Sequence, residues 1–205
     1  MLEKNISAIV LAAGRGKRMK GYYPKVLYSL LGKPLIYYVL KELTAIDCIK
    51  QIIVVIGYKR DLVKSEVSKL FKNYKNLEFV YQNKLLGTAD AVRKAEYKVR
   101  YPNVLIMCAD TPLITKNTLS SFIKTYFIDK KPCYLITANI EKDTDLGRVL
   151  RDDKGNISAI CEKLEFNKGE ASEFKEVNSG IYIFKKDVLF KNLKKIKLNK
   201  KKKEY

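Results

Sequence analysis

Residues 11–19 read Leu-Ala-Ala-Gly-Arg-Gly-Lys-Arg-Met, and residues 24–27 read Pro-Lys-Val-Leu. Small residues let backbone N–H groups approach an anion closely, and the cations Arg18 and Lys25 would neutralise its charge. That is the composition of a phosphate cradle. It is not the dinucleotide fingerprint, which needs a third Gly or Ala where Met19 stands. Nor is it a P-loop, because no Gly-Lys-Ser/Thr follows Gly14 at the required spacing. Taken alone, the segment also reads as a strand-to-loop turn with solvated basic residues. A second group of interest, Asp110, follows the apolar run 104–108 in Ala109-Asp110-Thr111-Pro112-Leu113. A carboxylate at a strand end beside a phosphate loop is a natural Mg²⁺ ligand, since magnesium prefers hard oxygen donors. On its own, Asp110 also reads as a turn former before Pro112.

What the chain lacks narrows the chemistry. It has no histidine, which excludes Ser-His-Asp and Cys-His nucleophilic machinery and His-ligated zinc. Phosphoryl-type transfer needs none of these, because positioning and charge neutralisation do most of its work. Cys48, Cys108, Cys133 and Cys161 form no Cys-x-x-Cys pair and read as buried or incidental thiols in a reducing compartment. The net charge of +19 is uneven, with ten lysines against only Asp187 and Glu204 in residues 185–205. No zinc finger and no interleaving of aromatic and basic residues accompanies it, so no specific nucleic-acid partner is expected.

The elements that must position these residues follow from the apolar pattern. Residues 6–11, 51–56, 77–81, 104–108 and 133–140 read as strands. Most are continuously apolar, as in a parallel sheet covered on both faces. Residues 6–13 accordingly read as a strand entering a basic glycine loop, not as the core of a signal peptide. Between the strands lie helical stripes. Pro34 is placed to start one, with Leu35, Ile36, Val39, Leu40 and Leu43 along a face. Leu62, Val63, Val67, Leu70 and Phe71 form a second, expected to be core. Thr88 is expected to cap a third helix, running to Ala95. Thr115 is expected to cap a fourth, carrying Leu119, Phe122, Ile123, Tyr126 and Phe127. Beyond Ile140 the rhythm changes: residues 148–151 and 156–163 flank Asp152-Asp153-Lys154-Gly155, a hairpin signal. A further strand at 178–184 precedes a short helix near 187–196. The expected class is α/β, a doubly wound, mostly parallel, Rossmann-like sheet with a β-rich C-terminal insertion. In such sheets ligands bind beyond the carboxyl ends of the strands, where residues 14–25, 82–88 and Asp110 would gather.

The ordered set of motifs is more specific than any one of them. It comprises residues 11–19, Pro24-Lys25-Val26-Leu27, Gln82 five before Gly87-Thr88, and Ala-Asp-Thr-Pro-Leu-Ile at 109–114. Gly147-Arg148 and Glu176-Val177-Asn178-Ser179-Gly180 complete it. Together, from about Ile6 to Tyr205, they closely resemble the sugar nucleotidyltransferases, most nearly those that uridylylate N-acetylglucosamine 1-phosphate. The resemblance implies an enzyme that joins UTP to that sugar phosphate, giving UDP-N-acetylglucosamine, a peptidoglycan precursor, and pyrophosphate. It implies that Leu11, Ala12, Ala13, Gly14, Gln82, Gly87 and Thr88 bind the nucleotide. Arg18 and Lys25 would bind its phosphates and act in catalysis, and Asp110 would hold Mg²⁺. Gly147, Glu162 and Asn178 would contact the amino sugar; alone, Glu162 reads as a solvated hairpin residue and Asn178 as a strand-entry residue.

Departures from the family pattern border this set. Lys17 stands where the family has Thr, Cys108-Ala109-Asp110 replaces Tyr-Gly-Asp, and Leu146-Gly147-Arg148 replaces Tyr-Gly-Arg. They leave sugar identity open, so a nucleotidyltransferase for glucose 1-phosphate or another nucleoside triphosphate is a second reading. On the resemblance, residues 1–205 form one nucleotidyltransferase domain, truncated before a second metal ligand (an Asn) and before an acetyltransferase β-helix. A catalytically silent nucleotide-binding fragment is therefore a third reading. A cytoplasmic location without a membrane association is expected, and a homo-oligomer is entertained for a full-length form.

Overall fold

The computed structural model of the chain describes residues 4–16, 22–141, 144–162, 165–166, 174–199 and 205. Two compact units emerge: residues 1–133 with 183–205, and the inserted unit Tyr134–Tyr182.

The first unit is built on a parallel sheet. Strand β1 (Ile6–Ala12) leads through a one-turn 3-10 helix, Lys25–Leu27, to the two-residue hairpin β2 (Ser29–Leu30) and β3 (Lys33–Pro34). Helix α1 (Leu35–Thr44), strand β4 (Ile49–Ile56), helix α2 (Arg60–Leu70) and strand β5 (Leu77–Tyr81) follow. Helix α3 (Thr88–Lys94), strand β6 (Asn103–Cys108) and helix α4 (Lys116–Asp129) come next. The strand order β5-β4-β1-β6 is parallel throughout, with β1 between β4 and β6. The winding thus reverses at β1: the chain first adds β4 and β5 on one side, then β6 on the other. That reversal is the topological switch point at which open α/β sheets hold ligands. The central strands owe their place to composition. Ile6, Ile9, Val10, Ile52, Ile53 and Val54 are fully buried, and β-branched side chains on adjacent strands pack both faces.

The helices match their stripes with two exceptions. Val63 and Val67 of α2 are fully buried, but Leu62 is 36% exposed and belongs to the outer face. Thr88 does not cap α3. Gly87 holds the cap position at φ 93°, ψ 180°, a conformation essentially reserved for glycine, and Thr88 is the first helical residue. Thr115 does cap α4, its hydroxyl accepting from the Thr118 N–H at 3.2 Å.

The insertion is all β. Strands β7 (Cys133–Asn139), β8 (Arg148–Arg151), β9 (Ile157–Cys161) and β10 (Glu176–Lys185) carry the chain out and back, before helix α5 (Lys186–Leu193). β10 pairs with β7 and, antiparallel, with β8; β8 pairs antiparallel with β9. The β8–β9 turn is the anticipated hairpin. Gly155 sits at φ 77°, and Asp152 Oδ1 accepts from the backbone N–H groups of Lys154 and Asn156.

Candidate active site at the end of the central strand

The phosphate-loop segment is launched from a strand held on both sides. The Leu11 carbonyl accepts from the Ala109 N–H at 3.0 Å, and the Ala13 carbonyl accepts from the Tyr58 N–H at 3.0 Å. The chains leaving β6 and β4 thereby fix where the loop starts. Gly57, which the sequence reading passed over, allows that approach. A Cβ there would stand 2.8 Å from Leu85 Cδ2 and 3.0 Å from the Ala13 carbonyl oxygen. Gly16 is constrained similarly, at φ 65°, where an added Cβ would stand 2.8 Å from Lys25 Cβ. At Gly14, by contrast, an added Cβ meets nothing within 4 Å, so open space lies beside this backbone.

Lys25 heads the 3-10 turn that Val26 and Leu27 anchor by burial. Its Nζ donates to Asp110 Oδ2 at 2.6 Å, bridging the segment after β1 to the segment after β6. Both side chains remain about a third accessible, at 36% and 29%. The pair is thus structured by the scaffold yet open to a ligand. Burial, and then the negative charge of Asp110, push the Cys108 thiol up to about 11. It stays protonated at neutral pH and offers no thiolate nucleophile.

Gln82 lies just beyond β5, 4% exposed, with its backbone N–H bonded to the Ile56 carbonyl at 2.8 Å. Its Nε2 donates to the Gly87 carbonyl and to Asp90 Oδ2, each at 3.0 Å. Asp90, 1% exposed, completes its pairing through Arg93, whose Nη2 lies 3.0 Å from Oδ1.

These groups surround a cavity of about 430 Å³. Leu11, Ala12, Ala13, Gly14, Lys25, Gln82, Gly87, Thr88 and Asp110 all line it, so the expected nucleotide and metal residues of the first unit converge there. Arg18 lies outside the described residues. Sequence reasoning placed Cys108 at the border of the ligand set but missed Leu85 and Ala91 as wall residues, and it assigned no role to Arg15, whose guanidinium stacks 5.2 Å from the Tyr58 ring centre. It also missed Asp90, whose only signal was an acidic residue in a helix's first turn, ordinarily a solvated position.

The three expected sugar residues occur together in the inserted unit. The Asn178 N–H donates to the Gly147 carbonyl at 2.9 Å. A Cβ on Gly147 would meet Ile160 Cγ2 at 3.3 Å and Glu162 Oε1 at 3.9 Å. Asn178 Nδ2 donates to the Tyr182 hydroxyl at 2.6 Å and its Oδ1 accepts from the Gly180 N–H at 2.8 Å. Among the described residues, one amide proton and one lone pair of Asn178 have no partner. Arg148, 1% exposed, ties down the approach to Gly147 by donating to the carbonyls of Thr144 and Leu146.

A parallel α/β sheet with a glycine-loop cavity at its switch point defines a nucleotide-handling protein, and the comparisons specify the class. Residues 7–205 match the nucleotidyl transferase family model, so the chain belongs to the nucleotidyl transferase family and is an enzyme of that type. Among curated relatives, the bifunctional protein GlmU of Lactococcus lactis subsp. cremoris (strain SK11) is 37% identical over 203 residues, 98% of this chain and 43% of that protein. GlmU of Thermoanaerobacter pseudethanolicus is likewise 37% identical, over 98% of this chain and 43% of its own length. The chain thus spans less than half the length of these relatives. HddC from Yersinia pseudotuberculosis superposes with a TM-score of 0.74 at 23% identity, covering 90% of this chain and 79% of that one, which supports the fold alone.

A divalent metal ion goes with this family's chemistry. Among the described residues no cluster of three or more His, Cys, Asp or Glu exists, and Asp110 is the one carboxylate among the described residues that line the cavity. That suits magnesium, which commonly takes one or two carboxylates and completes its shell with water and substrate phosphates. No helix among the described residues is long and apolar enough to cross a membrane.

Proposed function

We propose that this chain transfers the uridylyl group of UTP to N-acetylglucosamine 1-phosphate, giving UDP-N-acetylglucosamine and pyrophosphate. One observation carries the reading: a single cavity joins a cation–carboxylate pair suited to phosphates, Lys25 with Asp110, to an amide acceptor suited to a base, Gln82. No described residue donates to Gln82 Oε1, and this acceptor matches the N3–H of uracil. The motif resemblance supplies the sugar.

Both substrates are anions, and their repulsion is the first barrier. Lys25 would draw the nucleotide phosphates to the loop, with Arg18 adding a second cation, while backbone N–H groups near Ala13 and Gly14 donate to their oxygens. Asp110 would hold magnesium, which when bound withdraws charge from the phosphoryl oxygens. The sugar phosphate is already an oxyanion, so its attack needs no base from the protein. Its oxygen bonds to the α-phosphorus as the bond to the bridging oxygen breaks, and pyrophosphate departs with that electron pair. Held in line, the partners need no covalent enzyme intermediate. This agrees with a chain lacking histidine and with the protonated Cys108. Gly147, Glu162 and Asn178 would contact the amino sugar. A cytoplasmic setting, where UTP and sugar phosphates are available, fits the four free thiols.

Pyrophosphate release across a panel of nucleoside triphosphates and sugar 1-phosphates tests the assignment. UTP with N-acetylglucosamine 1-phosphate should give the highest kcat/KM. A higher value for another pair would reassign the substrates. UTP binding without turnover on any sugar phosphate would leave a silent nucleotide-binding domain instead.

A further inference from the structure

We propose that Asp90 is a positioning residue that locks the Gln82 amide in one orientation and thereby sets which nucleobases the cavity admits. The inference rests on the uridylyl reading of the cavity and deepens it. Gln82 Nε2 has two protons, and both point at groups that can only accept: the Gly87 carbonyl and the Asp90 carboxylate, each at 3.0 Å. Turning the amide over would set Oε1 against those two oxygens in a nearly dry site, since Gln82 and Asp90 are 4% and 1% exposed. The Asp90 carboxylate is itself held, because its other oxygen meets Arg93 at 3.0 Å. Arg93 in turn packs 4.5 Å from the ring centre of Tyr205. The order of the chain of contacts is therefore Tyr205, Arg93, Asp90, Gln82, base.

With no proton left to give, Gln82 presents an acceptor only. A base that donates from its ring nitrogen, as uracil does at N3, gains a hydrogen bond there. Cytosine and adenine present a lone pair at the corresponding ring nitrogen and meet like against like. A well-placed pairing of this kind discriminates by about 10–100-fold.

An isosteric change at Asp90 separates orientation from packing. In Asp90→Asn the amide has one acceptor oxygen, and both Arg93 and Gln82 require it. The charged guanidinium is the stronger claimant, so the Asn amide nitrogen turns to Gln82, which then faces a donor on one side and the Gly87 carbonyl on the other and is no longer held in one orientation. Removing the competing claim with Arg93→Ala in the same chain returns the oxygen to Gln82. Equilibrium binding of UTP and of CTP, with magnesium present, reads the result. The native chain should prefer UTP by about 10–100-fold. Asp90→Asn should reduce that ratio to within a few-fold, and Asp90→Asn with Arg93→Ala should restore it. An unchanged ratio in Asp90→Asn overturns the proposal, as does a loss that the second substitution fails to restore. A native chain that binds CTP as tightly as UTP instead overturns the uridylyl reading beneath it.

Discussion

Lys25 and Asp110 are 85 positions apart in sequence yet share a 2.6 Å contact, because β1 and β6 are neighbouring parallel strands whose exits face the same edge. Each neutralises the other until a ligand supplies new partners. A phosphate would take over Lys25, and the carboxylate would turn to a metal. Removing either side chain should therefore lower turnover by about 10²–10³-fold, the scale of a lost charge-stabilising contact. Lys25→Ala combined with Asp110→Asn should cost less than the product of the single losses, because the two residues act on the same developing charge. Pyrophosphate release at saturating substrate checks both expectations. Full multiplicativity would mean that the residues work independently. The residue types at this pair were legible from sequence, since the loop and the strand-end carboxylate each carry a recognisable chemistry. Asp90 was not, because a helical Asp discloses its burial only through its three-dimensional neighbours.

At the scale of elements, the opposite end of the same strands carries a second buried polar group. Gln51 of β4 is fully buried; it accepts from the Ser7 hydroxyl at 2.7 Å and donates to Glu78 Oε1 and the Lys98 carbonyl, each at 2.8 Å. Burial pushes the Glu78 carboxyl up, but hydrogen bonds from Gln51 and Lys98 and the charges of Arg100 and Lys98 outweigh it and hold the carboxyl below its ordinary value. A carboxylate lowered in the folded state stabilises above its unfolded pKa, and that contribution is lost as pH falls through the folded value. Denaturant unfolding should therefore show the native chain losing stability on acidification below about pH 4.5. Glu78→Gln should be less stable at pH 7 by about 1.5–3 kcal/mol, the scale of hydrogen bonds to a charged group, and should lose less on acidification. An equal acid loss in both chains would show that Glu78 is not the linked group. Strands here were legible because continuous apolar runs have few other homes. Leu62 and Thr88 were misread because periodicity does not reveal how much of a helix the sheet covers, nor that the turn entering α3 demands the backbone freedom of Gly87.

Over the whole molecule, each set of expected ligand residues lies within a unit that closes on itself. The nucleotide set lines one cavity in the parallel unit, and the sugar set lies in the inserted unit, with Asn178 on β10, Gly147 just before β8 and Glu162 just after β9. The parallel order and the insertion followed from the alternation of patterns along the chain. The winding reversal at β1 required the strand order itself, which no local pattern encodes. The charge of +19 is compatible with the two anionic substrates proposed, without specifying either. The most direct measurement is a crystal structure of the chain with UTP and magnesium. The account predicts the triphosphate within hydrogen-bond distance of Lys25 Nζ and the uracil N3–H on Gln82 Oε1. A nucleotide bound away from both, with the Lys25–Asp110 contact still closed, would contradict it.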